Sequence, residues 1–376
     1  MDSPSSTPTA PRRSSPPAKN ASRGRKSPAG AAGSSRPMPD ARPDPRPLVW
    51  IPSPIHPLAI EKLRQLADVR CGYGDAATSF ADVADEVEAI LVRSGRITAD
   101  QIAAAPRLKI IGRHGVGVDT VDVSAATAAG VIVTNTPTSN LVSVAEHTFA
   151  LLLALRRKLT LADRCNQDGS GHTSRALLVG RELAGSTLGL IGFGRIAAQV
   201  AGIAQNGFGM RTLAYDPGLG DDEVRRRGST PATLPHLLAD SDVVSLHIPL
   251  LPDTRHLIGA TELATMRPDA VIINTSRGGT IDEQALLQAL ATGRLGGAAL
   301  DVTEVEPLPP GHSLLNRPDV IITPHIAGQT EESLRRVALD AADDVLAALT
   351  GRPPANPVNE PPDPRILDRD RTRSAS

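Results

Sequence analysis

The sequence predicts an α/β protein made of two doubly wound units, each a parallel sheet covered by helices. Apolar runs of strand length alternate with helical patterns twice, over residues 48–134 and again over 186–322, which is typical of parallel sheets with helical crossovers. A glycine-rich turn lies between a strand pattern and a helix pattern at residues 192–197. The predicted strands are Leu48–Ile51, Ala89–Val92, Lys109–Ile111, Val131–Thr134, Ser186–Ile191, Thr212–Tyr215, Val243–His247, Ala270–Asn274, Gly297–Leu300 and Val320–Ile322.

Helical patterns occupy the intervals between these strands, for example at Ala59–Leu66 and Ala99–Ala104. One further segment, Ala145–Lys158, is apolar almost all round. A helix of this kind is normally buried. We therefore expect it to lie at a contact between domains or between subunits.

Length and composition agree with two folded units and two tails. The chain has 376 residues, of which 40% are hydrophobic and 2% aromatic, so we expect two domains with aliphatic cores. Residues 1–46 are rich in Ser, Pro and Arg, and the chain is again rich in proline and charge from residue 353 onward. Such segments cannot bury enough apolar surface to fold. We predict disordered tails over residues 1–46 and 358–376.

Charge and cysteine content argue against several classes of protein. The formal net charge of −1 argues against nucleic acid as the main partner. Cys71 and Cys165 form no metal-binding or redox pattern, which predicts no metal site and fits a reducing cytoplasm. No apolar run approaches the roughly 18 residues of a membrane span, so no membrane partner is expected.

The glycine turn has the features of a dinucleotide site. Gly192 permits a tight turn, Gly194 lets a pyrophosphate approach the backbone, and Ala197 lets helix and strand pack closely. The following helix offers unpaired N–H groups to phosphates. Asp216 ends the next strand, roughly 20 residues further on, where a carboxylate binds the adenosine ribose and repels a 2′-phosphate. NAD is therefore favoured over NADP. The turn residues predicted to bind the cofactor are Gly192, Phe193, Gly194, Arg195 and Ile196.

Three later strand ends carry the groups that oxidation of an alcohol requires. Such a reaction needs a cation for an anionic substrate, a general base for the hydroxyl proton and a group that orients the base. Arg277, Glu306 and His325 each follow a different predicted strand. Because the carboxyl ends of parallel strands meet at one edge of a sheet, we expect these three residues at one site.

Eight ordered stretches span residues 91–328: LVRSGRIT, GRHGVGVDTVD, SVAEHTFALLLAL, LGLIGFGRIA, HIPLLPDT, INTSRGG, ALDVTEVEP and TPHIAG. They resemble the D-isomer-specific 2-hydroxyacid dehydrogenases, and most closely the D-3-phosphoglycerate dehydrogenase branch. The resemblance implies a flavodoxin-like substrate-binding domain of residues 47–145 plus 327–357, a Rossmann NAD domain of residues 146–326 inserted into it, and an active site between them. It also implies a homodimer formed at the long helix, and a short form without a regulatory domain.

The resemblance further implies a role for each site residue. Arg277 would bind the substrate carboxylate and the C2 oxygen, His325 would exchange the hydroxyl proton, and Glu306 would orient His325. Val116 would contact the nicotinamide, and Asp301 would accept a hydrogen bond from its amide. Substrate contacts are implied for Arg93, Ser94 and Gly95, and further cofactor contacts for Ile248, Pro249, Thr275, Ser276 and Gly328.

The substrate itself stays open. Phosphoglycerate is favoured, with glyoxylate or hydroxypyruvate as alternatives. Thr303 stands where many relatives have an aromatic residue, so a more open pocket wall is expected there, and His114 has no assigned role. An alternative from another class is a dehydrogenase-like corepressor that binds NAD to control assembly with transcription partners and performs no turnover.

Overall fold

The computed structural model describes residues 46–367, and every structural statement below concerns that range. The predicted tail up to residue 45 and the residues from 368 onward lie outside it. The described chain forms a five-stranded sheet and a seven-stranded sheet. All strand pairs within both sheets are parallel. The predicted class of two doubly wound α/β units is confirmed.

The first sheet consists of β1 (Leu48–Ile51), β2 (Asp68–Cys71), β3 (Val87–Val92), β4 (Ile110–Arg113) and β5 (Ile132–Thr134). Its strand order is β2-β1-β3-β4-β5, the order of flavodoxin-like folds. The sequence prediction missed β2. This edge strand exposes the charged residues Asp68 and Arg70, so it lacks the apolar run that marks a buried strand.

The second sheet consists of β6 (Thr187–Ile191), β7 (Arg211–Tyr215), β8 (Thr230–Pro231), β9 (Val243–Leu246), β10 (Val271–Asn274), β11 (Gly297–Leu300) and β12 (Val320–Ile322). Its order is β12-β11-β10-β9-β6-β7-β8, so the strand order reverses between β6 and β9. The carboxyl ends of the strands at such a reversal are where dinucleotides bind in Rossmann folds.

The α-helices are α1 (Pro57–Arg64), α2 (Ala99–Ala103), α3 (Val123–Ala128), α4 (Leu141–Arg156), α5 (Leu159–Gln167), α6 (Arg195–Phe208), α7 (Asp221–Arg226), α8 (Leu234–Asp240), α9 (Ala260–Thr265), α10 (Glu283–Ala291) and α11 (Glu331–Leu349). Between residues 46 and 367, no helix is long and apolar enough to cross a bilayer. Although α11 follows the last strand of the second sheet, its residues Ala341 and Val345 belong to the core of the first sheet. The chain therefore returns to its starting sheet, while the domain boundaries themselves stay a prediction.

The long helix α4 starts four residues before the predicted segment and is buried on one side only. Phe149, Leu152 and Leu155 pack in the same core as Leu190 of β6. On another side, Val142 is 48% exposed. The helix thus contacts the second sheet and leaves apolar surface uncovered.

The prediction of a disordered tail from residue 358 is wrong for the part that the structure describes. The Asn359 side chain accepts the Val133 N–H at 2.7 Å and donates to the Val131 carbonyl at 3.0 Å. Arg365 donates to two carbonyls of the loop before β4, and Ile366 is buried in the core of the first sheet. Composition gave the wrong prediction here because polar side chains of this segment form hydrogen bonds with backbone groups at the edge of the first sheet.

Candidate active site

A cavity of about 760 Å³ lies where loops from the two sheets meet. The segments that follow β3 and β4 line it from the first sheet, and those that follow β9, β10, β11 and β12 line it from the second. Twelve predicted site residues share this lining: Arg93, Ser94, Val116, Ile196, Ile248, Pro249, Thr275, Ser276, Arg277, Asp301, His325 and Gly328. The predicted residues outside the lining are Gly95, Gly192, Phe193, Gly194, Arg195, Asp216 and Glu306.

His325 and Glu306 form a hydrogen-bonded pair beside the cavity. His325 Nδ1 lies 2.8 Å from Glu306 Oε2, which leaves Nε2 available to a substrate. Burial opposes ionisation of Glu306, but the hydrogen bond and charge of His325, together with the Thr303 N–H, outweigh burial and hold the pKa of this carboxyl below its usual value. A carboxylate in this position orients the imidazole and stabilises its protonated form.

The backbone at His325 is held in an unusual conformation by Asp301. The φ of His325 is +54°, a left-handed value that a non-glycine residue adopts at a cost and that is often found at functional sites. The His325 N–H donates to the Asp301 carbonyl at 2.8 Å. The Asp301 carboxylate accepts the N–H groups of Ile326 and Ala327, each at 2.8 Å, and the Thr323 hydroxyl at 2.6 Å.

Asp301 therefore has a structural task that the sequence prediction missed. Its side chain is completely buried, and it fixes the turn that presents His325. His147 Nε2, on α4, also lies 3.1 Å from the Thr323 hydroxyl, so that histidine packs behind the turn. A contact of Asp301 with the nicotinamide amide stays a prediction.

Arg277 is held in place by Asp119, a residue of the stretch GRHGVGVDTVD for which the sequence analysis predicts no role. Asp119 Oδ2 accepts Nε–H at 3.0 Å and Nη2–H at 2.9 Å, and Nη1 donates to the Ser276 carbonyl at 2.7 Å. Nη1 and Nη2 each keep one N–H without a partner among the described residues. A guanidinium fork of this kind suits a carboxylate.

The predicted substrate loop, residues 93–95, makes several hydrogen bonds within the protein. Arg93 donates from Nη2 to Gln329 Oε1 at 2.6 Å and from Nη1 to the Pro54 carbonyl at 3.2 Å. The Ser94 N–H donates to Ser53 Oγ at 3.0 Å. Substrate binding by this loop stays a prediction, and the Ser94 N–H would have to exchange its partner.

The glycine turn fits a dinucleotide. Gly192 has φ +81°, and a Cβ there would lie 2.6 Å from the His247 carbonyl oxygen, so only glycine is tolerated. A Cβ on Gly194 would meet no atom within 4 Å, which leaves open space beside the start of α6. The Asp216 carboxylate accepts the Phe193 N–H at 2.8 Å, and the Phe193 ring is buried in the core. Because Phe193 is buried and its N–H is bonded to Asp216, a contact of Phe193 with the cofactor stays a prediction.

Two other histidines that line the cavity are kept neutral. Burial lowers the pKa of His247 to about 4. Burial also lowers the pKa of His114 to about 4, with the positive charge of Arg93 as a further cause. Of the three histidines that line this cavity, only His325 has a carboxylate oxygen within hydrogen-bond distance.

Comparison with known proteins identifies the family. Residues 149–327 match the family described as D-isomer specific 2-hydroxyacid dehydrogenase, NAD binding domain. The chain is 38% identical over 325 residues to a glyoxylate reductase of Aeropyrum pernix, covering 84% of this chain and 96% of that protein. This chain belongs to the D-isomer-specific 2-hydroxyacid dehydrogenases. The predicted family is confirmed. NAD is confirmed as the cofactor, because the matched family is described as an NAD binding domain.

Two further relatives of this chain differ in length and in the substrate that their names give. A D-3-phosphoglycerate dehydrogenase of Synechocystis sp. is 41% identical over 315 residues, which cover 83% of this chain but 56% of that relative. The crystal structure of D-lactate dehydrogenase from Aquifex aeolicus, complexed with NAD and lactic acid, has a TM-score of 0.74 and 30% identity, covering 84% of this chain and 99% of that one. The chain thus spans little more than half the length of the Synechocystis protein.

Thr303 does not line the cavity of this chain, and a more open pocket wall at this position stays a prediction. The residue is buried. Its hydroxyl donates to the Val305 carbonyl at 2.9 Å, and a Cβ on Gly278 would lie 2.0 Å from its carbonyl carbon. Close packing against Gly278 places Thr303 behind the wall of the pocket.

Proposed function

We propose that this chain is an NAD-dependent dehydrogenase that interconverts a D-2-hydroxy acid and its 2-keto acid. The observation that supports this most directly is that Arg277 and the His325–Glu306 pair meet at one cavity, beside a glycine turn that fits a dinucleotide. Phosphoglycerate is the favoured substrate, and glyoxylate and hydroxypyruvate are the alternatives.

In the proposed oxidation, Arg277 binds the substrate carboxylate through its two unpartnered N–H groups and so orients C2. His325 Nε2 removes the hydroxyl proton, because Nδ1 is already held by Glu306. NAD held at the glycine turn of residues 192–197 would supply the acceptor for the hydride that leaves C2. Glu306 then balances the positive charge on the imidazolium, and in the reverse reaction His325 returns the proton to the oxygen.

Turnover with a panel of acids tests the proposed function. Purified protein is mixed with NAD and D-3-phosphoglycerate, D-glycerate, D-lactate or glycolate, and with NADH and the corresponding keto acids, while absorbance of NADH is followed. We expect turnover with at least one pair. Tight NADH binding without any turnover would overturn the proposal and favour the corepressor alternative, which no feature of the described residues supports at present.

Replacing Asp216 by alanine is expected to relax the preference for NAD. The carboxylate repels a 2′-phosphate, and a like-charge contact of this kind costs several kcal/mol, so the ratio of kcat/KM for NAD to that for NADP should fall about tenfold or more. Because Asp216 also accepts the Phe193 N–H, Asp216→Asn is tested in parallel, since its amide oxygen can keep that bond. Asp222→Ala, an exposed change on α7, is the control. An unchanged ratio in both Asp216 variants would remove the residue from cofactor selection.

We also propose that the enzyme is a homodimer formed along α4 and α5. Three large apolar side chains in and after α5 are strongly exposed, Leu159 (55%), Leu177 (69%) and Val179 (71%), and Val142 (48%) is exposed at the other end of α4. Clustered exposed apolar residues mark interaction surfaces.

The proposed location is the cytoplasm, because Cys71 and Cys165 are both free thiols, which a reducing compartment preserves.

Light scattering coupled to size-exclusion chromatography tests the dimer. We expect twice the chain mass for the unaltered protein and a shift toward the monomer for the double variant Leu177→Asp/Val179→Asp, because burying two carboxylates without partners is costly. Leu66→Asp, at a 53% exposed position near the first sheet, serves as the matched control. A monomer in the unaltered protein at micromolar concentration would contradict the dimer.

A further inference from the structure

Arg227 is a guanidinium beside the glycine turn that the proposed mechanism does not use. It comes directly after α7 and ends a run of three arginines. Its Nη1 donates to the carbonyl oxygen of Phe193 at 2.9 Å. Because Phe193 stands between the two glycines of the turn, Arg227 contacts the backbone of the predicted cofactor site from a position 34 residues further along the chain.

Arg227 is itself held in place by α7. Its Nε donates to Glu223 Oε1, one helical turn earlier, at 2.6 Å, and this hydrogen bond lowers the pKa of the Glu223 carboxyl. The other two arginines of the run also pair with acidic residues of α7. Of the three, Arg227 alone bonds to the glycine turn in the part of the chain that the structure describes.

Phe193 is therefore fixed on both sides of its backbone. Its N–H donates to Asp216 Oδ2 at 2.8 Å, and its carbonyl accepts from Arg227. This carbonyl and the N–H of Gly194 belong to the same planar trans peptide unit, in which the two bonds point in opposite directions. Holding the carbonyl of Phe193 toward Arg227 therefore directs the N–H of Gly194 away from it.

The N–H of Gly194 is available to a ligand. Gly194 immediately precedes α6, and its N–H has no hydrogen-bond partner within residues 46–367. A Cβ at this position would meet no atom within 4 Å, so there is room for a phosphate beside the first N–H groups of the helix, which have no partners within it. A hydrogen bond to a peptide carbonyl also polarises the unit and strengthens its N–H as a donor.

We propose that Arg227 is a positioning residue for the cofactor. By holding the carbonyl of Phe193, it orients the N–H of Gly194 toward the space that the pyrophosphate of NAD would occupy, while Glu223 holds the guanidinium in place. The contribution of Arg227 is therefore specific for ligands that carry a pyrophosphate. This inference rests on the proposed binding of NAD at the glycine turn.

Ligands with and without a pyrophosphate test the inference. NADH binding is measured by fluorescence titration, and binding of ADP and adenosine by displacement of NADH. We expect Arg227→Met to weaken NADH and ADP about three- to tenfold, the scale of one hydrogen bond, and to leave adenosine within about twofold. Arg227→Lys should restore part of the affinity, because an ammonium group can also donate to a carbonyl. Arg225→Met, which removes the same charge from α7, is the matched control and should have no effect.

Gly194→Ala separates failure of this inference from failure of the proposed cofactor site. Its methyl group would enter space that the protein leaves open, so it should weaken NADH without lowering the melting temperature. If Gly194→Ala weakens NADH and Arg227→Met does not, the inference is overturned and the site stands. If neither variant weakens NADH, the proposed site fails, and the inference fails with it. Equal losses for ADP and adenosine in Arg227→Met, with a lower melting temperature, would show a purely structural role and would also overturn the inference.

Discussion

Replacing His325 by asparagine is expected to lower kcat by about 10² to 10⁴, the usual contribution of general acid–base catalysis. Asparagine cannot take the hydroxyl proton, while the Asp301 carbonyl can still accept the backbone N–H at this position. The affinity for NADH, measured by fluorescence titration, should therefore stay unchanged. Steady-state kinetics in both directions give kcat, and both directions should lose rate because the same nitrogen removes and returns the proton.

A matched control is available for this histidine. His236 also lies near a carboxylate, 3.7 Å from Asp240, but on the exposed surface of α8, and His236→Asn should leave kcat unchanged. Glu306→Gln should give a smaller loss than His325→Asn, because the amide oxygen can still accept the Nδ1–H. A His325 variant with nearly full activity would contradict the assignment of the proton to this residue.

Replacing Arg277 by alanine is expected to lower kcat/KM by roughly 30- to 4,000-fold, which corresponds to about 2 to 5 kcal/mol for removing one partner of a hydrogen-bonded charge pair. The loss should concern the substrate and leave NADH affinity unchanged. Arg277→Lys should recover little, because an ammonium group cannot form the planar fork that Arg277 presents. Arg294→Ala, in the loop between α10 and β11 and outside the cavity, is the control.

The hydrogen bonds between Asp119 and Arg277 allow a second test of this prediction. Asp119→Asn removes the charge that holds Nε and Nη2 of Arg277 and should raise KM about three- to tenfold, with a smaller change in kcat. Equal loss of NADH and substrate affinity in Arg277→Ala would contradict a role in carboxylate binding. No change in KM for Asp119→Asn would show that Arg277 is oriented without this partner.

Much of the fold was predictable because it follows from local patterns. Buried central strands such as Gly297–Leu300 have uninterrupted apolar runs, and the glycine turn combines residues that are only a few positions apart. Strand ends also identify the residues that reach one sheet edge, which is why Arg277 and His325 could be expected in one place. The edge strand β2 escaped prediction because its charged positions break the pattern.

The remaining features depend on residues that are distant along the chain. Asp119 and Arg277 are 158 positions apart, and neither neighbourhood contains a signal that they will pair. Asp301 stands in a recognisable stretch, but its carboxylate accepts N–H groups from a turn more than twenty residues later.

The C-terminal segment also has a consequence for the open side of the first sheet. Strand β5 is the last in its order, and Val133 at its centre donates to Asn359 Oδ1 and accepts the Val358 N–H at 2.8 Å. An outer strand whose backbone groups are occupied gives no template to which a foreign polypeptide could add. This stretch of chain therefore covers the outer edge of β5 against strand addition, a task unrelated to turnover.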